Sequence, residues 1–323
     1  MKVLVTGGAG YIGSICVEEL LNGGHDVTVF DNLSEGHRSA VDPRAAFVKG
    51  DLADREAVRE ALRKSGAEAV MHFAANALVG ESVENPGKYF RNNMANGLNL
   101  LESMRDLGVS RIVFSSTCAT YGNPERIPMT EEHPQKPLNP YGLSKLMFEQ
   151  ALRWFESAHG IRHVILRYFN AAGCTARYGE HHRIETHLIP NVLKVALGQK
   201  PHVEVFGTDY DTPDGTAIRD YIHIVDLAQA HMLALRREAS GIYNLGNGEG
   251  HSVRQVVNVA KKITGREIPT VDKSRRPGDA SRLIAASHRA SRDLGWAPRY
   301  ARMDQILASA WEWHRRHPEG YPD

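Results

Sequence analysis

The chain has 323 residues, 42% of them hydrophobic and 24% charged, a globular composition that excludes a disordered or fibrous protein. With 39 Lys and Arg against 38 Asp and Glu, the net charge is +1, so no global field favours nucleic acid or an anionic membrane as a partner. Cys16, Cys118 and Cys174 are too scattered for a disulfide framework, and no apolar run approaches a signal-peptide core or the ~18 residues of a membrane span, so a soluble, cytoplasmic protein is expected.

Short β-branched runs alternate with amphipathic segments along the first half. Val3 to Thr6 reads as a strand, followed by a glycine-rich turn and a helix over Tyr11 to Asn22. Strands follow at Val27 to Phe30 and Ala46 to Val48, then a helix from the N-cap Asp54 to Ser65. Ala69 to Phe73 and Arg111 to Ser115 read as strands on either side of a helix over Lys88 to Leu107, and the helix Tyr141 to His159 precedes a last strand at His163 to Arg167. Most of these strands are apolar on both faces, which places them in a parallel sheet covered by helices on each side. The fold class is therefore α/β: a doubly wound parallel (Rossmann) sheet over residues 1–169. A smaller mixed α/β domain is expected over residues 170–323, with some later segments packing back onto the first domain.

The turn Thr6-Gly7-Gly8-Ala9-Gly10-Tyr11-Ile12-Gly13 lies between a strand and a helix. In that context its glycines let the backbone approach a pyrophosphate, which the free N–H groups of the helix N-terminus bind. Asp31 ends the second strand, where a carboxylate accepts hydrogen bonds from ribose hydroxyls. That favours NAD over NADP, whose 2′-phosphate Asp31 would repel; Arg38 nearby is the one feature on the other side. Asp51 and Phe73-Ala74-Ala75 follow the third and fourth strands, at the edge where such sheets bind cofactor. Asp51 reads equally well as an adenine contact or as an acid at a helix N-terminus.

Tyr141 and Lys145 stand at i and i+4 of one predicted helix and share a face. A nearby cation and a positively charged nicotinamide would favour the phenolate, making Tyr141 a base for a hydroxyl proton. Ser115-Ser116-Thr117 ends the fifth strand and sends hydroxyls toward the same crevice. Singly these features are common surface decoration and strand composition. Their order behind the nucleotide turn gives them a joint meaning.

These residues resemble the extended short-chain dehydrogenase/reductases and, within them, the UDP-glucose 4-epimerases. The likeness runs through TGGAGYIGS from Thr6, HFAA from His72, YFRNN from Tyr89, FSSTCATYGNP from Phe114, NPYGLSK from Asn139, LRYFNAAG from Leu166, HLIPNVL from His187, VFGTDYDTPDGTAIRDYIHIVDLA from Val205 and RRPGD from Arg275. The resemblance implies Tyr141 as base, Thr117 as its hydroxyl partner and Lys145 as support for Tyr141 and the nicotinamide ribose. It implies NAD contacts at Gly7, Gly10, Tyr11, Ile12, Asp31, Asn32, Asp51, Leu52, Phe73, Ala74, Asn92 and Phe169. The implied reaction is NAD-dependent interconversion of UDP-glucose and UDP-galactose through a transient 4-keto sugar, with no net redox change.

For the UDP-sugar substrate the resemblance implies Arg219 and Arg276 on the phosphates, Asn170, Leu188, Val205, Phe206 and Tyr221 around the nucleotide, and Asp279 on the ribose. It also implies a homodimer through the helices from Lys88 and Tyr141. Sixteen histidines, His181, His182 and His187 among them, form no HExxH or Cys/His motif, so no metal is expected. Three features depart from the family: Ala77 replaces a cofactor-reaching lysine, the loop Cys174 to His182 differs, and Leu283 stands where side-chain bulk gates 2-acetamido sugars. The other readings at this stage are a 4-epimerase of another UDP-sugar (UDP-N-acetylglucosamine, UDP-xylose or UDP-glucuronate) and a non-catalytic NAD-binding scaffold. A dehydratase or decarboxylase of this fold would need an acid after Thr117, where Cys118 and Ala119 stand.

Overall fold

A computed structural model describes residues 1–276 and 279–322. Along the first half run β1 (Lys2–Thr6), α1 (Tyr11–Asn22), β2 (Asp26–Asp31), β3 (Ala46–Lys49), α2 (Arg55–Ser65), β4 (Ala69–His72), α3 (Val79–Glu84), α4 (Pro86–Tyr89), α5 (Asn96–Asp106), β5 (Arg111–Thr117), α6 (Pro140–His159) and β6 (Arg162–Tyr168). The second half adds β7 (Asn170–Ala172), α7 (Leu188–Ala196), β8 (Val203–Phe206), β9 (Ile218–His223), α8 (Ile224–Arg236) and β10 (Gly241–Leu245). It ends with β11 (Gly250–Ser252), α9 (Val253–Thr264), β12 (Thr270–Lys273), β13 (Arg282–Leu283), α10 (His288–Leu294) and α11 (Met303–Arg316).

Seven parallel strands form the central sheet in the order β10-β6-β5-β4-β1-β2-β3. Successive residues divide between two cores, as the strand period of two requires. Val3 and Val5 pack on one face with Ala69, Met71, Val113 and Val164, beneath α1 and α8. Leu4, Val70, Ile112, Phe114 and Ile165 pack on the other, beneath α2, α5 and α6. The six strands read from sequence are all present, with β5 extended to Thr117 and β6 to Tyr168. β10 is the addition: it crosses back from beyond residue 240 and pairs with β6.

The expected helix over Lys88 to Leu107 begins at Pro86 and contains a π-helical segment over Phe90–Ala95 before α5. Wider turns of this kind concentrate at functional sites, and this one carries Asn92 and Asn93. Beyond the main sheet, β9 lies between β11 and β13 and also pairs with β7, and β8 pairs with β12. The buried Asp220 holds this region together by accepting from the backbone N–H groups of Asn247, Gly248 and Ala285. Because the seven strands run parallel, the glycine turn, Asp31, Phe73 and Thr117 all emerge at one edge of the sheet.

Candidate active site

The turn after β1 is shaped by contacts that only glycine permits. Gly7 has φ +73°, and a Cβ there would lie 2.5 Å from the Ala74 nitrogen; a Cβ on Gly13 would lie 2.2 Å from the Gly7 carbonyl oxygen. Both glycines are thus fixed by packing of turn, helix and the chain after β4. Gly10 differs. A Cβ there would touch the protein only at 3.4 Å, so its bare backbone faces the cleft. Gly10 is the N-cap of α1 and gives it no side-chain cap, and its first turn carries no acidic residue. Unneutralised N–H groups and dipole at an open glycine are what a pyrophosphate requires.

A cleft opens there and is lined by Gly7, Gly10, Asp31, Asn32, Asp51, Leu52, Phe73, Ala74, Ala75 and Asn92 among others. Ten of the expected NAD contacts therefore share one surface. Asp31 is 8% exposed, and its two oxygens accept from the N–H groups of Ala9 and Leu33 at 3.0 and 2.8 Å. Burial raises its pKa, opposed by these two hydrogen bonds. Each oxygen retains a lone pair for a ribose hydroxyl. Arg38 stacks over Phe47 at 4.5 Å. Asp51 accepts from Asn32 Nδ2 and from the Ala53 N–H, while Asp54 caps α2. The donor set fits an NAD dinucleotide.

Four residues expected to touch NAD lie elsewhere on the site. The Tyr11 side chain is buried and its phenol donates to the Gly173 carbonyl, so Tyr11 offers the cleft only its backbone, and Ile12 packs half-buried against the core. Gly13 acts through packing. Phe169 is buried with Tyr121, Met129 and Ala285.

At the same edge, Asn139 caps α6 by accepting from the Gly142 N–H at 2.9 Å. A Cβ on Gly142 would lie 2.4 Å from the Ala119 carbonyl, so the start of α6 sits hard against the turn that follows β5. That contact brings Tyr141 to Thr117. Thr117 Oγ1 accepts from the Ala119 N–H, which leaves its own hydrogen for the Tyr141 phenol oxygen, a hydrogen bond that favours the phenolate. Burial is the larger effect and pushes Tyr141 up to about 12.

Lys145 is 4% exposed; its Nζ donates to the Ser115 carbonyl at 2.9 Å and lies 4.9 Å over the Phe114 ring. Burial brings Lys145 down to about 7, opposed by the charge of Glu149. Lys145 sits one helical turn after Tyr141 with its Nζ held on the Ser115 carbonyl at the same strand end, while burial and the Thr117 hydrogen bond are the main influences on the Tyr141 phenol. Added positive charge in the cleft favours the charged phenolate, so the Tyr141 pKa should fall when NAD⁺ is loaded. Ultraviolet difference titration of the cofactor-free protein against Tyr141→Phe should show a phenol at neutral pH. Ionisation already complete below about pH 8 would contradict this.

Spacing alone did not reveal two supports. Asn93 is buried and hydrogen-bonds the Asn76 backbone and Ser144 Oγ, tying the π-helical segment to α6; the adjacent asparagines of YFRNN were the available signal. Glu149, one turn after Lys145, accepts from Ser116 Oγ and from Arg167 Nε and Nη2 in full burial. Nothing local marks that pair.

The substrate-side residues fall into smaller groups. Arg219 pairs with Asp279, and the Arg276 guanidinium stacks 4.0 Å over Phe206. Asn170 pairs with Tyr221 across β7 and β9, and Leu188 opens α7. The charge of Arg219 reaches Cys118, next to Thr117, linking this group to the catalytic edge. Val205 is fully buried, so its part in any site is played by backbone. In the RRPGD segment, Pro277 and Gly278 lie outside the described residues.

The model of the NAD dependent epimerase/dehydratase family matches residues 3–246. The chain belongs to that family. Among its relatives, a UDP-glucose 4-epimerase of Streptococcus mutans serotype c is 50% identical over 331 residues, covering 100% of this chain and 99% of the relative. Two solved structures superimpose closely. UDP-glucose 4-epimerase from Brucella ovis in complex with NAD has a TM-score of 0.92 and 46% identity, over 96% of this chain and 97% of that one. The enzyme from Bifidobacterium longum in complex with NAD⁺ and UDP has a TM-score of 0.95 and 40% identity, over 99% and 100%.

Proposed function

We propose that the protein is an NAD-dependent enzyme that interconverts UDP-glucose and UDP-galactose by inverting C4. The observation that carries this reading is the joining of Thr117, Tyr141 and Lys145 at the sheet edge where an uncapped, glycine-lined helix N-terminus opens. NAD, when bound there, supplies reversible hydride acceptance from a sugar carbon. The chain's own groups do the rest. Tyr141 takes the 4-hydroxyl proton and later returns it, Thr117 holds the phenol oxygen and the sugar oxygen in one hydrogen-bonded line, and Lys145, anchored on the Ser115 carbonyl, supports Tyr141 and the nicotinamide ribose. Since the 4-keto sugar must present both faces, the grip belongs on the UDP: Arg219 and Arg276 supply the cations its two phosphates need.

In this reading residues 1–169, completed by β10 and α8, hold NAD, and residues 170–323 hold the UDP-sugar. Support for a cytoplasmic enzyme comes from three free thiols. Support for a homodimer comes from the outward face of α6, where Trp154 is 75% and Leu143 40% exposed.

The test incubates purified protein with UDP-galactose, adds no cofactor, and follows UDP-glucose. Conversion establishes 4-epimerisation with co-purified NAD; failure that persists after NAD is supplied would overturn the reading. Leu283, half-buried against Tyr121 and Phe169, limits room near the sugar and is intermediate in bulk. UDP-N-acetylglucosamine should therefore be turned over more slowly than UDP-galactose, and equal kcat/KM for the two would contradict this.

A further inference from the structure

The polar loop between β7 and α7 gathers four side chains that neither the NAD cleft nor the catalytic group uses. Glu180, His182, Glu185 and His187 each contribute a donor atom, and these atoms all lie within 4.8 Å of one another. Glu180 Oε1 is 2.5 Å from His187 Nδ1 and 3.3 Å from His182 Nε2, and Glu185 Oε1 is 4.0 Å from His187 Nδ1. Four ligands around an ion at 2.0–2.2 Å stand about 3.3–3.6 Å apart, so changes in separation of no more than about 1.2 Å bring these atoms to coordination distance.

Charge and burial point the same way. The two carboxylates are 3% and 4% exposed, whereas the His182 and His187 side chains are 32% and 51% exposed. Two buried carboxylates side by side are costly without matching positive charge; without metal part of it comes from His187, which, against the effect of its burial, the Glu180 carboxylate holds up to about 9, so a bound ion takes the place of that proton. With both imidazoles neutral, as metal ligation requires, the four groups carry a charge of −2 that a dication cancels. Supporting contacts hold the rings: His182 packs edge-on to Tyr11 and to His187, and Glu185 also accepts from the His187 N–H. A cleft lined by Glu180, Glu185, His181, Lys194 and His314 connects the cluster to solvent.

We propose that Glu180, His182, Glu185 and His187 bind one divalent ion of zinc type, four-coordinate through two imidazole nitrogens and two carboxylate oxygens. His187 is the N-cap residue of α7 and Leu188 its first residue, so the ion clips the loop to the start of that helix. The inference stands on the cluster alone and does not depend on the sugar specificity proposed above. No metal was expected from sequence because the histidines were weighed without the intervening acids; the pattern Glu-x-His-x-x-Glu-x-His shows only when both are counted.

The full-length protein is stripped with a chelator, dialysed and titrated with Zn²⁺ against a chromophoric competitor. The expected result is one zinc per chain, a melting temperature that rises with added zinc, and binding at least about 100-fold weaker in His182→Gln and Glu185→Gln, a larger loss than supporting residues cause. Circular dichroism and retained NAD report whether the variants fold. X-ray absorption of the loaded wild type, which needs no variant, should show nitrogen and oxygen neighbours at about 2.0 Å and no sulfur. Zinc absent from the wild type, undiminished in both variants, or bound through sulfur would overturn the proposal and leave the cluster as a proton-sharing ion-pair network.

Discussion

Replacing Tyr141 by Phe should lower turnover by about 10²–10⁴-fold, the usual contribution of a positioned acid–base group, while leaving NAD bound. The substitution removes one oxygen. The ring keeps its edge-on packing against Tyr89, at 6.4 Å between centroids, and Lys145 keeps its hydrogen bond to Ser115. The cleft formed by the glycine turn, Asp31 and Phe73 does not involve the phenol. What is lost is the acceptor for the 4-hydroxyl proton and the partner of Thr117. NAD released on denaturation should equal that of the wild type, which separates loss of chemistry from loss of cofactor. Activity within a few fold of wild type would mean that the base is another group.

A second large effect is expected on stability. Glu149 and Arg167 are 0% and 1% exposed, and the carboxylate accepts two guanidinium N–H groups, the Ser116 hydroxyl and Gln135 Nε2. Glu149→Gln keeps the shape but points an N–H group at a buried cation and leaves that cation uncompensated. Removal of one partner of such a pair costs about 3–5 kcal/mol. Replacing both partners by apolar side chains of similar volume should cost much less, because no charge is stranded. Denaturant midpoints and slopes of the single and double variants measure this. A single variant within about 1 kcal/mol of wild type would show that the pair behaves like a surface ion pair. Loss of the Glu149 charge also removes the influence that holds up the Lys145 pKa, so Lys145 should lose its proton at a lower pH in this variant.

The parts of the molecule legible in the sequence are those with short-range signatures. β1, β4, β5 and β6 announce themselves as apolar runs because they are buried on both faces. Gly7, Gly10 and Gly13 are spaced by the turn they build, and Tyr141 and Lys145 by one helical turn. The unreadable parts depend on distant meetings. β10 joins the sheet beside β6 after more than 70 intervening residues, and parallel pairing leaves no local mark. Glu149 and Arg167 face each other from a helix and a strand, and Arg219 meets Asp279 across 60 positions. The π-helical segment that turns Asn92 to the cleft and Asn93 to the interior is one residue of extra backbone within an otherwise ordinary helical pattern. On the substrate side the loops carry few periodic apolar residues, so only the family likeness pointed to Arg276 and Phe206, and only the fold brings them into contact.

In this mechanism hydride leaves C4 of the sugar and returns to the same carbon on its opposite face. This is tested most directly by converting UDP-galactose deuterated at C4 and examining the UDP-glucose formed by mass spectrometry and NMR. The product should keep its deuterium at C4, with none appearing in solvent, when protein to which no cofactor has been added carries out the conversion. Loss of the label to water, or its migration to another carbon, would contradict hydride return at C4 and with it the roles assigned to Tyr141, Thr117 and Lys145.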